Sequence, residues 1–176
     1  MPVITDGATS MADSWKIALH LDHAYPGTVR LMDSEQARGA IRVFALWVER
    51  VVQIGIFPIV LLDLYSIIDE RDKAYFRDSR EKRFGMTLEA FASEPAAATE
   101  RLKKTLEPVR VLLGEQDYIG GRQPSFADDC LFGAFQWARC VSPKKLLAAD
   151  DPIYRWRERM LDADGGHARA AIGYAV

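Results

Sequence analysis

Residues 124–141 read PSFADDCLFGAFQWARCV, a capping pattern followed by an apolar helix. Ser125 and Asp128 stand three positions apart, so each side chain can accept a hydrogen bond from the main-chain N–H of the other residue. Apolar residues recur after this pair, among them Phe126, Cys130, Phe135 and Trp137. The stretch therefore predicts a helix in which Ser125 and Asp128 are structural capping residues without a role in chemistry.

A long helix is predicted upstream. Asp33 and Gln36 form a capping pair, and apolar residues then recur at steps of three and four as far as Leu62. Pro58 lies inside this pattern, and proline removes one intrahelical hydrogen bond while its ring clashes with the preceding turn. We therefore expect a bend or a local break at Pro58.

The remaining segments after residue 30 are also helical in pattern. A second long helix is predicted from about Ser79 to Leu113, either continuous or interrupted near 93–95, where turn residues cluster. The charged run 69–83 is interpreted as a solvated face or connection. Glycines at 114–121 predict a loop. Asp150 or Asp151 is expected to cap a last helix, in which Pro152 occupies the first turn.

The first 27 residues differ in kind from the rest. Residues 2–5 read as a short strand, Asp6-Gly7 as a hairpin turn and residues 8–11 as a returning strand. A helix follows, and Pro26-Gly27 ends it. The prediction is a mainly α protein, with a β-β-α unit over residues 1–27 and a helical domain over residues 28–176.

Composition excludes several classes of function. With 176 residues and a net charge of -2, the chain lacks the basic surface expected of a nucleic-acid-binding protein. The apolar run 51–62 is too short to cross a bilayer, so we predict a buried helix and no membrane association. No secretory signal is visible, which predicts a cytoplasmic location.

Neither cysteines nor histidines predict a metal site. Cys130 and Cys140 have no CxxC spacing and are expected to be small packing residues. His20 and His23 stand three apart on the first helix and could share a metal with Asp22, but no further ligand is evident near them. Surface histidines are the preferred interpretation, and no metal is predicted.

Four segments together resemble the cytosolic glutathione S-transferases, and among these the bacterial branch that includes the lignin β-etherases. The segments are MPVITDG, DSWKIALHLDHAYP, LEPVRVLLGEQDYIGGRQPSFAD and DDPIYRW. The resemblance implies a helical transferase C-terminal domain preceded by the C-terminal part of a thioredoxin-like domain. It also implies that Ser125 and Asp128 form the family's capping box.

The resemblance implies a partial glutathione site. The proline matching Pro2 is cis in the family, and the main chain of the residue before it, here Met1, pairs with the cysteinyl part of glutathione. The residues matching Asp13 and Ser14 hold the γ-glutamyl end, whose carboxylate meets the serine hydroxyl and the helix N-terminus. The alternative is that Asp13 and Ser14 only cap the helix.

For the acceptor substrate, a small electrophilic or apolar molecule, the resemblance implies a pocket on the first long helix. Phe44, Trp47 and Tyr65 are candidate lining residues, and core packing is the simpler alternative for these aromatic side chains. The family's thiol-activating Ser, Tyr or Cys lies ahead of the segment that matches Pro2. No residue here is therefore assigned a catalytic role.

Two functions follow as hypotheses. By descent the chain conjugates glutathione or cleaves ethers with glutathione as co-substrate, and we expect a truncated form that is weakly active or inactive by itself. The alternative is a noncatalytic helical module that binds a protein partner or an apolar ligand. A homodimer is expected as one way to cover the edge of the two-stranded sheet.

Overall fold

The computed structural model describes residues 2–27, 31–32 and 34–175. Within these residues it contains one β-hairpin and nine α-helices, with a π-helical segment in the longest helical run. The bounds are β1 Val3–Asp6, β2 Thr9–Ala12, α1 Ser14–Ala24, α2 Glu35–Trp47, the π-helical segment Val48–Val52, α3 Gln53–Ile67, α4 Glu70–Phe84, α5 Leu88–Phe91, α6 Pro95–Thr105, α7 Glu107–Glu115, α8 Phe126–Val141 and α9 Pro152–Ala170. The predicted mainly α fold with a short N-terminal sheet is confirmed.

The N-terminal unit is an antiparallel hairpin packed against α1. β1 and β2 pair from Val3 with Ala12 to Asp6 with Thr9. Both strands lie one residue later than predicted, because the turn is Gly7-Ala8 and not Asp6-Gly7. Gly7 has a φ of 58°, which favours glycine. The division of the chain into two domains at residue 27 stays a prediction.

Asp6 ties the hairpin to α1. Its Oδ2 lies 2.7 Å from His20 Nε2, and its Oδ1 accepts a 2.7 Å hydrogen bond from the Tyr25 hydroxyl. The contact with His20, and to a smaller extent the one with Tyr25, lowers the pKa of the Asp6 carboxyl. His20 therefore contacts a carboxylate of the hairpin. The described residues contain no group of three or more His, Cys, Asp or Glu side chains placed to hold a metal.

The first long helix begins and distorts at other places than predicted. Ser34 is the N-cap, and its hydroxyl accepts from the Ala37 N–H, whereas the predicted cap Asp33 lies outside the described residues. The helix continues through Pro58, which lies inside α3. The departure from α geometry is instead the π-helical segment, a distortion typical of kinks and functional sites.

This helical run is long and apolar enough, by length and composition, to cross a membrane. Among its residues, however, Val48, Val52, Ile56 and Val60 are fully buried in the protein core. The feature is weak evidence for a membrane span, because the central helix of a packed domain has the same composition.

The prediction of one long helix from Ser79 to Leu113 is wrong, although the interruption considered near 93–95 is present between α5 and α6. The segment belongs to four helices, α4 to α7, and the charged run 69–83 is mostly the helix α4. Gly85 ends α4 with a φ of 69° and donates its N–H to the Glu81 carbonyl. Pro95 and Pro108 each lie in the first turn of a new helix, where their missing N–H costs no intrahelical hydrogen bond.

Helix α8 lies at the centre of the helical domain. It contacts α2, α3, the π-helical segment and α9. Its buried residues Leu131, Ala134 and Phe135 belong to the main core cluster together with Ile56 of α3 and Trp156 of α9. The sequence PSFADDCLFGAFQWARCV thus forms the helix around which the others pack.

Ser125 and Asp128 form the capping box that the sequence predicts. The Asp128 carboxylate is fully buried. Its Oδ1 accepts from the Ile119 N–H at 2.7 Å and the Trp156 indole N–H at 2.9 Å. Its Oδ2 accepts from the Gly120 N–H at 2.9 Å and from the N–H and hydroxyl of Ser125 at 2.8 and 3.0 Å. One carboxylate therefore joins a loop, α8 and α9.

We expect Asp128→Asn to lower the free energy of unfolding by about 3 kcal/mol, because its amide NH₂ would face buried donors. Ser125→Ala should cost only about 1 kcal/mol, the typical loss for an N-cap. Chemical denaturation of the three proteins measures both changes. Equal costs for the two substitutions would contradict the central role given to Asp128.

Gly120 is required by close packing. A Cβ at this position would lie 2.7 Å from the Gln123 carbonyl oxygen and 2.8 Å from Ser125 Cβ. Gly120→Ala should therefore lower the thermal midpoint, while Gly114→Ala, whose Cβ meets nothing within 4 Å in the last turn of α7, should leave it unchanged or raise it. A Gly120→Ala protein as stable as the Gly114→Ala control would be inconsistent with this packing.

Candidate functional site

A cleft of about 430 Å³ lies where α1 meets the helical domain. The N-terminal end of α1 forms one side, and the α2–α3 run and the first turns of α8 form the other. The lining residues are Ser14, Arg42, Ala45, Val48, Glu49, Gln53, Phe126, Asp129, Cys130 and Gly133. The cleft therefore combines apolar surface with several charged and polar groups, as ligand sites do.

The start of α1 places one predicted residue, Ser14, at this cleft, and Asp13 precedes it directly in the chain. Asp13 is the N-cap, and its carboxylate accepts a 3.0 Å hydrogen bond from the Lys16 N–H, so the capping interpretation holds for Asp13. Its φ is 87°, a region that residues other than glycine rarely adopt. Ser14 is the first helical residue and lines the cleft, and its hydroxyl makes no hydrogen bond with the described residues.

Pro2 contacts the start of α1 through its main chain. Its carbonyl accepts a hydrogen bond from the Asp13 N–H at 3.3 Å, so the main chain before β1 is joined to the residue that caps α1. Met1, the other predicted glutathione contact, lies outside the described residues, and so does the Met1–Pro2 bond for which the cis form is predicted.

The opposite wall provides a cation and aromatic packing. The Arg42 guanidinium lies 5.0 Å from the centre of the Trp15 ring, within the range of a cation–π interaction. Trp15 in turn meets Phe126 edge to face at 5.8 Å. These contacts, together with a cluster that includes Ala18 and Met32, hold α1 against α2 and α8.

Two titratable groups of α8 lie side by side at the cleft. Although Asp129 is partly exposed, the surrounding protein displaces water from its carboxyl, and this, with the charges of Asp128 and Asp164, raises its pKa to about 6. Burial, followed by the Asp129 charge, raises the pKa of the Cys130 thiol to about 12. Cys130 is therefore a neutral thiol at physiological pH, unsuited to act as a nucleophile.

Residues 40–162 match the glutathione S-transferase C-terminal domain family. The chain belongs to this family.

Solved glutathione transferases show the same fold. GSTFuA3 from Phanerochaete chrysosporium is 29% identical, with a TM-score of 0.70 over 94% of this chain and 65% of its own. CsGST63524 of Ceriporiopsis subvermispora, solved in complex with glutathione, is 22% identical, with a TM-score of 0.71 over 96% of this chain and 67% of its own. The chain thus spans about two thirds of the length of these fungal proteins.

The β-etherase LigF from Sphingobium sp. strain SYK-6 has a TM-score of 0.64 and covers 94% of this chain and 75% of its own. Its identity is 14%, which shows a shared fold and no closer kinship. Membership of the transferase family is therefore established at the level of the C-terminal domain, and the β-etherase branch is not.

In this transferase-family chain the three aromatic residues predicted for the acceptor pocket are not brought together. Phe44 lines another cavity, of about 350 Å³, beside Ile119 and Ser125. The Trp47 ring is 5.3 Å from that of Phe44 and packs against the main core. Tyr65 lies in a separate cluster with Phe76, under the Arg77 guanidinium.

Sequence reasoning missed the charged and polar residues of the cleft. Arg42, Glu49 and Gln53 lie at steps of seven and four on the helical run, and with Ala45 they share one face of it. This spacing was a usable signal for a mixed polar face. The sequence did not mark Asp129 as a cleft residue, because it directly follows the capping residue Asp128. Its position at the cleft depends on α1, which is distant in sequence and forms the opposite side.

Because the pKa of Asp129 is raised from 3.8 to about 6, the folded state binds its proton more readily than the unfolded state does. Ionisation of Asp129 therefore destabilises the fold above about pH 6, and the effect is absent below about pH 4. Asp129→Asn should raise the thermal midpoint at neutral pH, and the two midpoints should converge as the pH falls through this range.

Asp78→Asn is the matched control, because Asp78 is exposed and makes no hydrogen bond or ion pair with the described residues. Thermal melts between pH 4 and 8 compare the three proteins. If Asp129→Asn follows the control at every pH, the cleft does not destabilise the charged form of Asp129.

Proposed function

We propose that this chain acts in glutathione-dependent substitution at an electrophilic carbon, either conjugation or ether cleavage. In this reaction the glutathione thiolate attacks the carbon, an S–C bond forms, and the bond to the leaving group breaks. The leaving group departs with the electron pair as a halide or an alkoxide. The thiolate would approach from the α1 side of the cleft, and the electrophile would lie against the α2–α8 side.

The observation that carries this proposal is the geometry at the start of α1. A helix N-terminus presents unpaired N–H groups and a positive dipole end, which suit a carboxylate. Ser14 lines the cleft with a hydroxyl that makes no hydrogen bond with the described residues, and the neighbouring Asp13 adds a negative charge suited to an ammonium group. The γ-glutamyl end of glutathione carries both an α-carboxylate and an α-ammonium group.

The backbone of Asp13 supports a binding role beyond capping. Ser34 and Thr87 cap their helices with extended backbones, at φ values of -151° and -66°. Asp13 instead has a φ of 87°. Such strain costs on the order of 1–3 kcal/mol and tends to occur at functional sites. Capping alone does not require this conformation.

The other wall of the cleft suits an apolar electrophile. Ala45, Val48 and Phe126 provide apolar surface, and Gln53 and Arg42 provide polar groups that could orient the substrate. Cys130 does not compete as a nucleophile, because its thiol is neutral. The described residues at the cleft offer no group matching the family's thiol activator, so we assign this chain to binding and positioning of the two substrates.

Membership of the transferase family supports this function, and the similar fold of a glutathione-bound fungal protein supports glutathione as co-substrate. Ether cleavage has the weaker support of the fold shared with LigF. A homodimer remains part of the proposal, since pairing would cover the strand edge beside β1 or β2.

The test is a titration followed by amide NMR. Glutathione should shift the amide resonances of Asp13, Ser14 and Trp15, with an affinity too weak to saturate at low millimolar concentration because the described residues offer contacts mainly to its γ-glutamyl end. Cysteinylglycine, which lacks the γ-glutamyl group, should leave these resonances unchanged. Ser14→Ala should reduce the shifts, because it removes a hydrogen-bond donor to the carboxylate.

Ser34→Ala is the matched control, since it removes an N-cap hydroxyl at α2 and should not alter the titration. Equal responses to glutathione and cysteinylglycine, or a full response in Ser14→Ala, would refute the assigned γ-glutamyl site. No response to glutathione at α1 would favour a noncatalytic helical module.

A further inference from the structure

A second cavity, here named the α4 cavity, lies between α3, α4 and α8. Its volume is about 370 Å³, and it is lined by Gln53, Ile54, Phe57, Arg80, Arg83, Phe84 and Trp137. Three of these seven side chains are aromatic, two are cationic and none is acidic. This composition suits a ligand that has both an aromatic ring and a negative charge.

The aromatic side chains offer ring faces in a fixed arrangement. Phe57 and Trp137 are nearly parallel, at 18° with 6.1 Å between ring centres. Phe84 stands 5.7 Å from Phe57 and stacks on Phe91 at 4.1 Å. Because the stack with Phe91 supports Phe84 from outside the cavity, the wall is built before any ligand arrives.

The two arginines at the cavity differ from their neighbour on α4. Arg77 donates hydrogen bonds to both Glu81 and Glu89, at 2.8 to 3.0 Å, so its charge is neutralised within the protein. Arg83 makes no hydrogen bond or ion pair with the described residues. Arg80 donates only to the Ser79 hydroxyl, at 2.9 Å, and lies 4.4 Å from the centre of the Phe76 ring. Both guanidinium groups therefore remain available to a carboxylate.

The α4 cavity adjoins the cleft that Ser14 lines. Gln53 lines both spaces. Glu49, four residues before Gln53 on the same helical run, lines only the cleft. Phe57, four residues after Gln53, lines only the α4 cavity. A ligand in the cleft that extends past Gln53 would therefore enter the α4 cavity.

We propose that the α4 cavity binds an aromatic carboxylate, with the ring against Phe57 and Trp137 and the carboxylate at Arg80 and Arg83. The cavity thereby favours acceptor substrates whose aromatic group carries a negative charge. This last step rests on the proposed function, whereas the binding site itself does not.

Calorimetric titration of the full chain with naphthoate, without glutathione, tests the binding site. Naphthamide, which has the same ring system and no charge, serves as the neutral probe. The double variant Arg80→Gln/Arg83→Gln should weaken naphthoate binding by about tenfold and leave naphthamide binding unchanged, because it removes the charge-assisted contacts and keeps the ring walls.

Arg122→Gln is the matched control, since Arg122 is exposed in the loop before α8 and makes no described hydrogen bond or ion pair. Arg122→Gln removes one positive charge, as Arg83→Gln does, and should leave naphthoate binding unchanged. Equal affinity for naphthoate and naphthamide, or an equal loss in Arg122→Gln and Arg83→Gln, would overturn the site. Thermal melts check that each variant folds.

Turnover tests the substrate assignment separately. With a para-chloro-meta-nitrobenzoate as electrophile, Arg83→Gln should raise KM several-fold and leave kcat unchanged, while KM for the corresponding benzamide should not change. A similar rise in KM for both electrophiles would overturn the assignment. Absence of turnover with naphthoate still bound would overturn the substrate assignment and support the aromatic-carboxylate site. The glutathione titration tests the proposed function separately, because the described residues include no thiol activator.

Discussion

The buried carboxylate of Asp128 is the interaction on which the rest of the structure depends. A buried charge is tolerated only when donors surround it, and here those donors come from Ile119, Gly120, Ser125 and Trp156. These residues belong to three separate segments, so the carboxylate fixes where the loop and α9 lie relative to α8. The next two residues, Asp129 and Cys130, face the cleft. The hydrogen bonds of Asp128, which fix the start of α8, thus also position this wall of the cleft.

The parts of the fold that the sequence predicted are those specified by neighbouring residues. The capping box of α8, the hairpin turn at Gly7 and the Asp151 cap of α9 each need only a few adjacent side chains. Helices α4 to α7 were merged in the prediction because α4 has charges on every side and only Phe76 of its residues is buried. Its position depends on tertiary contacts such as the Arg77–Glu89 ion pair, which periodicity cannot reveal.

The candidate site was predictable on one side only. Asp13 and Ser14 follow a local pattern at a helix start, and the structure places Ser14 at the cleft. The acceptor side depends on which face of the long helix meets α8. The family resemblance pointed to aromatic residues of the long helix, Phe44, Trp47 and Tyr65, yet Tyr65 packs with α4 and Arg77. Arg42 and Asp129 come together only because α2 and α8 converge at α1.

The π-helical segment explains how one helix serves two cavities. Residues 42, 45, 48, 49 and 53 face the cleft, and residues 53, 54 and 57 face the α4 cavity. The wider turn at Val48–Val52 allows Val48 and Glu49 both to line the cleft, although Val48, like Val52, is almost fully buried. The wider turn also changes the direction in which later side chains project, so that Ile54 and Phe57 face the α4 cavity. The same distortion therefore immediately precedes Gln53, the residue at which the lining passes from the cleft to the cationic, aromatic cavity.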